Sequence, residues 1–177
     1  MKLILRLALA SVLVLTCSNL FAQSNTITFS ATANYNGDLP KTIAGAKGIL
    51  KSHEILPGGQ VDLSAKLAGP IHLDLSLNYS QKPGNVQASF AGGPELVFGK
   101  NNQFFGHALV GGIHLSQAQP KVLALADSSF VYFVGGGCRH FFSKHLGFAL
   151  GADYGYSEVL KSSDSLWKTS AGLVVRF

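Results

Sequence analysis

The sequence predicts an all-β protein, an eight-stranded antiparallel up-and-down transmembrane β-barrel. Three observations lead to this fold class: apolar and polar residues alternate along eight segments, the ionisable residues of these segments keep to the polar face, and the connections are alternately long and short. Alternation with a period of two describes a strand with two different faces, and a membrane barrel turns one face to lipid and the other to its interior.

The N-terminus predicts export. Two basic residues precede an apolar run at residues 7–15, which is too short to cross a bilayer, and Ala22 is a small residue suited to a cleavage site. We therefore expect a signal peptide at residues 1–22 and a single barrel domain at residues 23–177.

Charge and cysteine content narrow the class of protein further. Removal of Lys2 and Arg6 with the signal peptide lowers the formal net charge from +5 to +3, and no run of basic residues remains. Nucleic acid is therefore not an expected partner. Cys17 would also leave with the signal peptide, so Cys138 would be alone and no disulfide within the chain is expected.

The clearest strand is the stretch IHLDLSLNYS at residues 71–80, with a large apolar residue at each odd position and a polar or charged one at each even position. Read as a helix, the same letters give no apolar stripe. Residues 26–35 and 60–67 repeat the alternation. These three segments are predicted strands with one polar and one apolar face.

Of the five remaining strands, three are less regular and two repeat the alternation. Segments 86–98, 104–115 and 130–141 are interrupted by glycines, which predict bends or bulges and leave the two faces ambiguous. Segments 146–156 and 166–177 alternate again and complete a set of eight.

The connections between these strands differ in length. The longer ones are predicted at residues 36–59, 81–85, 116–129 and 157–165. The shorter ones are predicted at residues 68–70, 99–103 and 142–145. Because consecutive connections lie at opposite ends of an up-and-down barrel, this alternation indicates periplasmic turns, extracellular loops and both termini in the periplasm.

The ionisable residues of the strands share the polar face. A charge that faces lipid at mid-bilayer costs about 2–4 kcal/mol, so in a membrane barrel this face lines the interior, and His107 can be placed there as well. A soluble barrel with these charges on its outside would show the same pattern, and the aromatic residues discussed below favour the membrane barrel. An eight-stranded barrel leaves room inside for little more than side chains, so we expect these charges to pair with one another. The predicted interior polar network consists of Asp62, Lys66, His72, Asp74, Glu95, Arg139, Asp153, Lys168 and Arg176.

Aromatic residues lie near the predicted strand ends, as the two girdles of a membrane barrel require. Phe105 and Phe141 are included in the predicted girdles.

The mature chain resembles a known family over essentially its whole length, although its first strands match by pattern more than by motif. The ending SAGLVVRF, with Leu173, Val175 and the terminal Phe177 at alternate positions, resembles the C-terminal signal read by the outer-membrane assembly machinery. The stretches GPELVFGKNNQFFGHALVGGIH and VYFVGGGCRHFFSKHLGFALGADYGY resemble the small outer-membrane β-barrel domain family related to the OmpA transmembrane domain and OmpX. The resemblance implies residence in the bacterial outer membrane among lipid and lipopolysaccharide. It also implies contact with periplasmic chaperones and the assembly machinery during biogenesis, and a monomeric state.

The functional expectation is a structural role or an interaction of the extracellular loops, with no enzymatic activity, cofactor or metal. The histidines show no metal-ligand spacing. One alternative is a hydrolase, because His114 and Ser116 share a strand face and resemble the His-x-Ser of the lipid A deacylase family. Such an enzyme needs a carboxylate beside the histidine, and Asp127 falls in a predicted loop. The other alternative, a small passive pore, conflicts with the narrow interior of eight strands.

Overall fold

The computed structural model describes residues 25–36, 54–119, 122–159 and 162–177. In it the chain forms a closed antiparallel barrel whose eight strands follow one another in sequence order. The strands are β1 (Thr26–Asn36), β2 (Glu54–Ala68), β3 (Ile71–Lys82), β4 (Asn85–Phe98), β5 (Asn102–Gln119), β6 (Val122–Phe141), β7 (Leu146–Val159) and β8 (Ser162–Arg176). The predicted fold class is confirmed.

Closure occurs between the first and last strands. β1 and β8 pair from Thr26 with Arg176 to Asn36 with Leu166 without a change of register. The predicted signal peptide and residues 37–53 of the predicted first loop lie outside the described residues. Within the described part of the chain, no helix is long and apolar enough to cross a membrane.

The two faces of each strand separate strongly. Along β3, exposed and buried residues alternate from Ile71 to Ser80. Leu75 is 46% exposed on the outer wall, whereas the neighbouring Asp74 is 1% exposed on the inner face. The outward side chains of β3 are Ile71, Leu73, Leu75, Leu77 and Tyr79. The band spans nine residues, which is the length that a tilted strand needs to cross a membrane.

Several predicted loops are strand instead. β2 begins at Glu54, β4 begins directly after a turn at residues 83–84, and β5 continues to Gln119. β6, β7 and β8 likewise extend into the segments 116–129 and 157–165 that were predicted to be loops. The pairing reaches beyond the apolar band, where neither strand face needs to be apolar, so the alternation that identifies a strand is missing there.

The two ends of the barrel are nevertheless different. One end, called here the turn end, carries the turns at residues 69–70, 99–101 and 142–145 together with Asn25 and Phe177. The opposite end, called here the loop end, carries the connection that contains residues 37–53. There β3 and β4 are joined by residues 83–84 alone, so the prediction of a longer connection at residues 81–85 is wrong. At the loop end the β3–β4 connection needs Gly84, whose φ of 87° is readily adopted only by glycine.

Apolar clusters pack inside the barrel on both sides of a charged middle layer, together with buried polar side chains such as Asn34, Asn78 and Gln87. The buried cluster towards the loop end consists of Ala91, Leu109, Ile113, Val131, Phe133 and Leu166. Towards the turn end a smaller cluster consists of Phe141, Ala149 and Val174. The charged residues described below are thus enclosed by packed side chains along the barrel axis.

The face assignment predicts an asymmetric response to neighbouring substitutions on β3. Leu75→Arg places a charge at the middle of the outer wall and should lower the free energy of unfolding in phospholipid vesicles by about 2–4 kcal/mol. Ser76→Ala, on the inner face, removes one hydroxyl and should cost no more than about 1.5 kcal/mol. Urea titration of both variants measures the difference, and equal costs would show that the two faces are assigned wrongly.

Candidate functional site

A line of four charged side chains crosses the middle of the barrel. His107 on β5 contacts two carboxylates, with its Nδ1 atom 2.9 Å from Asp74 Oδ2 on β3 and its Nε2 atom 2.8 Å from Asp153 Oδ1 on β7. The other oxygen of Asp153 lies 2.8 Å from Lys168 Nζ on β8. The lysine also lies over the ring of Phe133, 4.9 Å from its centroid. The cluster therefore joins strands β3, β5, β7 and β8, of which only β7 and β8 are neighbours in the sheet.

A second cluster lies beside the first. The guanidinium of Arg139 on β6 pairs with Glu95 on β4, with Nη2 2.5 Å from Oε1. The other oxygen of Glu95 accepts a hydrogen bond from the Ser64 hydroxyl, whose oxygen lies 3.0 Å from His72 Nδ1. Both members of the ion pair are almost fully buried, so each compensates the desolvation of the other.

The remaining predicted network residues lie at the edges of these clusters. Asp62 is buried and accepts a hydrogen bond of 2.6 Å from the side-chain amide of Gln60. Lys66 is half-buried near the turn end, where its backbone N–H donates to Asn25 Oδ1 at 3.1 Å. Neither residue joins the two ion-pair clusters directly.

Arg176 corrects the predicted network. It lies at the turn end, where Nε donates to the Lys144 carbonyl and Nη1 to the Lys100 carbonyl, each at 3.1 Å. Its guanidinium also stacks 4.0 Å above the centroid of the Phe141 ring. Arg176 therefore ties two turns to the last strand instead of pairing inside the barrel.

Two aromatic residues were placed wrongly in the girdles. Phe141 is buried beneath Arg176, and Phe105 points inward, with Arg139 4.2 Å from its ring centroid. A strand end alone does not reveal which way an aromatic side chain points, and here the arginines hold both rings inside.

Sequence reasoning missed the central position of His107 and the part played by Gly135. His107 stands among small residues in GHALVGG, which obscures the face of β5. Gly135 lies opposite Asp153, and a Cβ atom added there would collide with the Asp153 carboxylate and the Ala152 carbonyl. This glycine makes room for the ion pair of His107 with Asp153, rather than bending β6, and register is continuous there.

Ligand atoms of Asp74, Glu95 and His107 lie within 4.8 Å of one another, a spacing compatible with a metal ion. Both ring nitrogens of His107 are engaged by carboxylates, and Glu95 is engaged by Arg139 and Ser64. A metal ligand set would have to break these contacts, so the arrangement is that of an ion-pair cluster.

The charged layer leaves little open space. A cavity of about 20 Å³ lies between residues that include Gln60, Asp74, His107, Arg139 and Asp153. This volume holds about one water molecule. The charged layer is therefore packed, which disfavours the passive pore.

The predicted pair of His114 and Ser116 takes a different form. His114 is exposed on the outer wall, and its Nδ1 atom lies 2.8 Å from the hydroxyl of Ser128 on β6, not Ser116. Asp127 lies in β6 and not in a loop, in register with Leu115. Among the residues whose side chains the structure describes, no carboxylate hydrogen-bonds to His114, so the orienting acid of a hydrolase is not in place there.

An apolar outer wall around a charged, closed interior defines a transmembrane β-barrel. The sequence matches no protein-family model and no curated protein sequence. The structure is similar to that of Neisserial surface protein A, with a TM-score of 0.67 and 10% sequence identity. The match covers 86% of this chain and 97% of that protein's chain.

Two further solved structures agree. Ail, the attachment invasion locus protein of Yersinia pestis, has a TM-score of 0.56 at 14% identity and covers 88% of this chain and 99% of its own. The outer membrane protein OprG from Pseudomonas aeruginosa has a TM-score of 0.58 at 11% identity and covers 89% of this chain and 97% of its own. The chain has the fold of the small eight-stranded outer-membrane barrels, and the resemblance seen in the sequence is confirmed at the level of the fold.

The buried ion pair predicts non-additive effects of substitution. Glu95→Leu leaves the Arg139 guanidinium buried without its carboxylate and should lower the free energy of unfolding in vesicles by about 3–5 kcal/mol. The double variant Glu95→Leu, Arg139→Leu removes both charges and should recover most of that loss. A double-mutant cycle by urea unfolding measures the coupling, and strictly additive costs would contradict the pairing.

Proposed function

We propose that this chain is an integral protein of the bacterial outer membrane. The observation that carries the proposal is the outer wall, where large apolar side chains on all eight strands are exposed. In contrast, charged side chains on six of these strands are buried inside the barrel, namely those of Asp62, Asp74, Glu95, Arg139, Asp153 and Lys168. A water-soluble barrel would gain nothing from this arrangement, since exposed apolar patches of that extent favour aggregation. In lipid the same wall is the stable surface.

Its role is structural, or lies in the connections at the loop end. The charges of the middle layer are engaged with one another and leave a cavity of only about 20 Å³ between them, which supports neither conduction through this layer nor catalysis in it. The longest connection contains Lys41, Lys47, Lys51 and His53 and falls among residues outside the described ones. Long connections on a rigid barrel are common sites of interaction.

Biogenesis follows from the same proposal. The chain is exported by a signal peptide at residues 1–22 and handed by periplasmic chaperones to the assembly machinery. Leu173, Val175 and Phe177, which are all exposed on the outer wall at the end of β8, form the signal that this machinery reads. The closed barrel pairs its first and last strands, which supports a monomer surrounded by lipid and lipopolysaccharide.

Limited proteolysis of intact cells tests the orientation. A protease that cleaves after lysine should cut at Lys47 or Lys51, because the loop end faces outward, and should spare Lys100, which lies in a turn at the turn end. The cut positions are read by mass spectrometry, and broken cells serve as the control in which Lys100 becomes accessible. Cleavage at Lys100 in intact cells, with Lys47 and Lys51 protected, would invert the topology.

A further inference from the structure

A groove of about 530 Å³ runs along the outer wall over strands β2 to β6. We call it the outer-wall groove. Its floor contains two small residues, Gly59 and Ala88, and the larger Leu77 and Phe90 stand beside them. The ring of Phe90 lies against Gly112, which also lines the groove. Leu77 and Phe90 are strongly exposed, at 62% and 63%. The groove therefore opens towards the surroundings of the barrel and not towards its interior.

The floor follows the hydrogen-bonded pairing of the strands. Gly59 pairs with Tyr79, Tyr79 with Ala88, Ala88 with His114, and His114 with Ser128. Small residues at the first and third positions of this row leave a depression beside the tyrosine ring. The shape is thus fixed by rigid sheet geometry.

Two polar side chains, those of His114 and Ser128, line the groove on its β5–β6 side. His114 is exposed and its Nδ1 atom is 2.8 Å from the Ser128 hydroxyl, while Nε2 has no hydrogen-bond partner among the described residues. On β3 the Tyr79 hydroxyl donates to Gln81 at 3.0 Å, and Tyr79 is the last outward apolar residue of that strand. On β3 this row therefore marks the level where the outward side chains change from apolar to polar towards the loop end.

These features match one kind of occupant. The wall is surrounded by lipid if the proposed function holds, so an apolar groove that begins at the polar boundary fits a hydrocarbon chain that descends from a polar linkage. We propose that the outer-wall groove binds one acyl chain of an outer-leaflet lipid, with His114 donating a hydrogen bond to an oxygen of that lipid on the β5–β6 side. The inference rests on the proposed membrane location and adds a specific lipid site to it.

Photolabelling in vesicles tests this site. The protein is refolded into phosphatidylcholine vesicles that contain a phospholipid with a diazirine in its acyl chain, irradiated, and mapped by mass spectrometry. Labelling at Leu77 and Phe90 should exceed labelling at Phe148 and Trp167, which are exposed to a similar degree, at 56% and 53%, elsewhere on the wall. Equal labelling of the two pairs would overturn the inference.

Variants separate the groove from the rest of the wall. Ala88→Leu fills the floor and should abolish the excess labelling, whereas Ala152→Leu, an outward change away from the groove, should leave it intact. His114→Ala removes one hydrogen bond to the lipid. It should therefore raise the concentration of the diazirine phospholipid that gives half-maximal labelling of the groove about fivefold. His114→Gln retains a donor and should stay near the parent value. No response to either Ala88→Leu or His114→Ala would overturn the inference.

Flotation with the vesicles and release of free fatty acid distinguish the other possible outcomes. Failure of the parent protein to float with the vesicles would refute the proposed membrane location, whereas flotation without preferential labelling would refute only the lipid site. Release of free fatty acid that disappears in Ser128→Ala would also overturn the inference, since the groove would then be a site of hydrolysis and not of binding.

Discussion

Every backbone N–H and C=O group that crosses a hydrocarbon layer must find its hydrogen-bond partner within the chain itself. An open sheet would leave two unpaired edges, and the pairing of β1 with β8 removes them. Closure in turn fixes which side chains meet lipid and which are enclosed. The apolar outer wall and the charged interior are thus two consequences of one backbone requirement.

The enclosed charges follow from the small size of the barrel. With eight strands the interior is no wider than the side chains that fill it. Charged side chains therefore reach partners across the lumen as well as on a neighbouring strand, where Asp153 meets Lys168. His107 contacts Asp74 and Asp153 from three different strands, and Glu95 meets Arg139 from two more. Because these partners are far apart in sequence, the contacts exist only once the barrel has closed. The network therefore ties the burial of charge to completion of the fold, and Gly135 provides the space that it needs.

Much of this arrangement could be predicted from the sequence, and the rest depends on register. The alternation at residues 71–80 identifies both faces of β3, because the residues that face outward are apolar and those that face the lumen are polar or charged. The sequence alone does not show which face of β5 and β6 points inward, because glycines and other small residues obscure the alternation around His107 and Gly135. The partner of His114 was also missed: Ser116 lies two residues away on the same strand, but the pairing of β5 with β6 brings Ser128 into contact instead. Pairing partners are set by how far neighbouring strands are staggered, which local composition does not encode.

The claim that one closed barrel separates lipid from charge is tested most directly by refolding residues 23–177 into phospholipid vesicles and comparing gel migration before and after boiling. The closed barrel should float with the vesicles, give a β-sheet circular dichroism spectrum, and migrate differently unheated and boiled, because an intact barrel resists unfolding by detergent. A chain that stays in the aqueous fraction as a folded monomer, with the same migration before and after boiling, would contradict the membrane barrel.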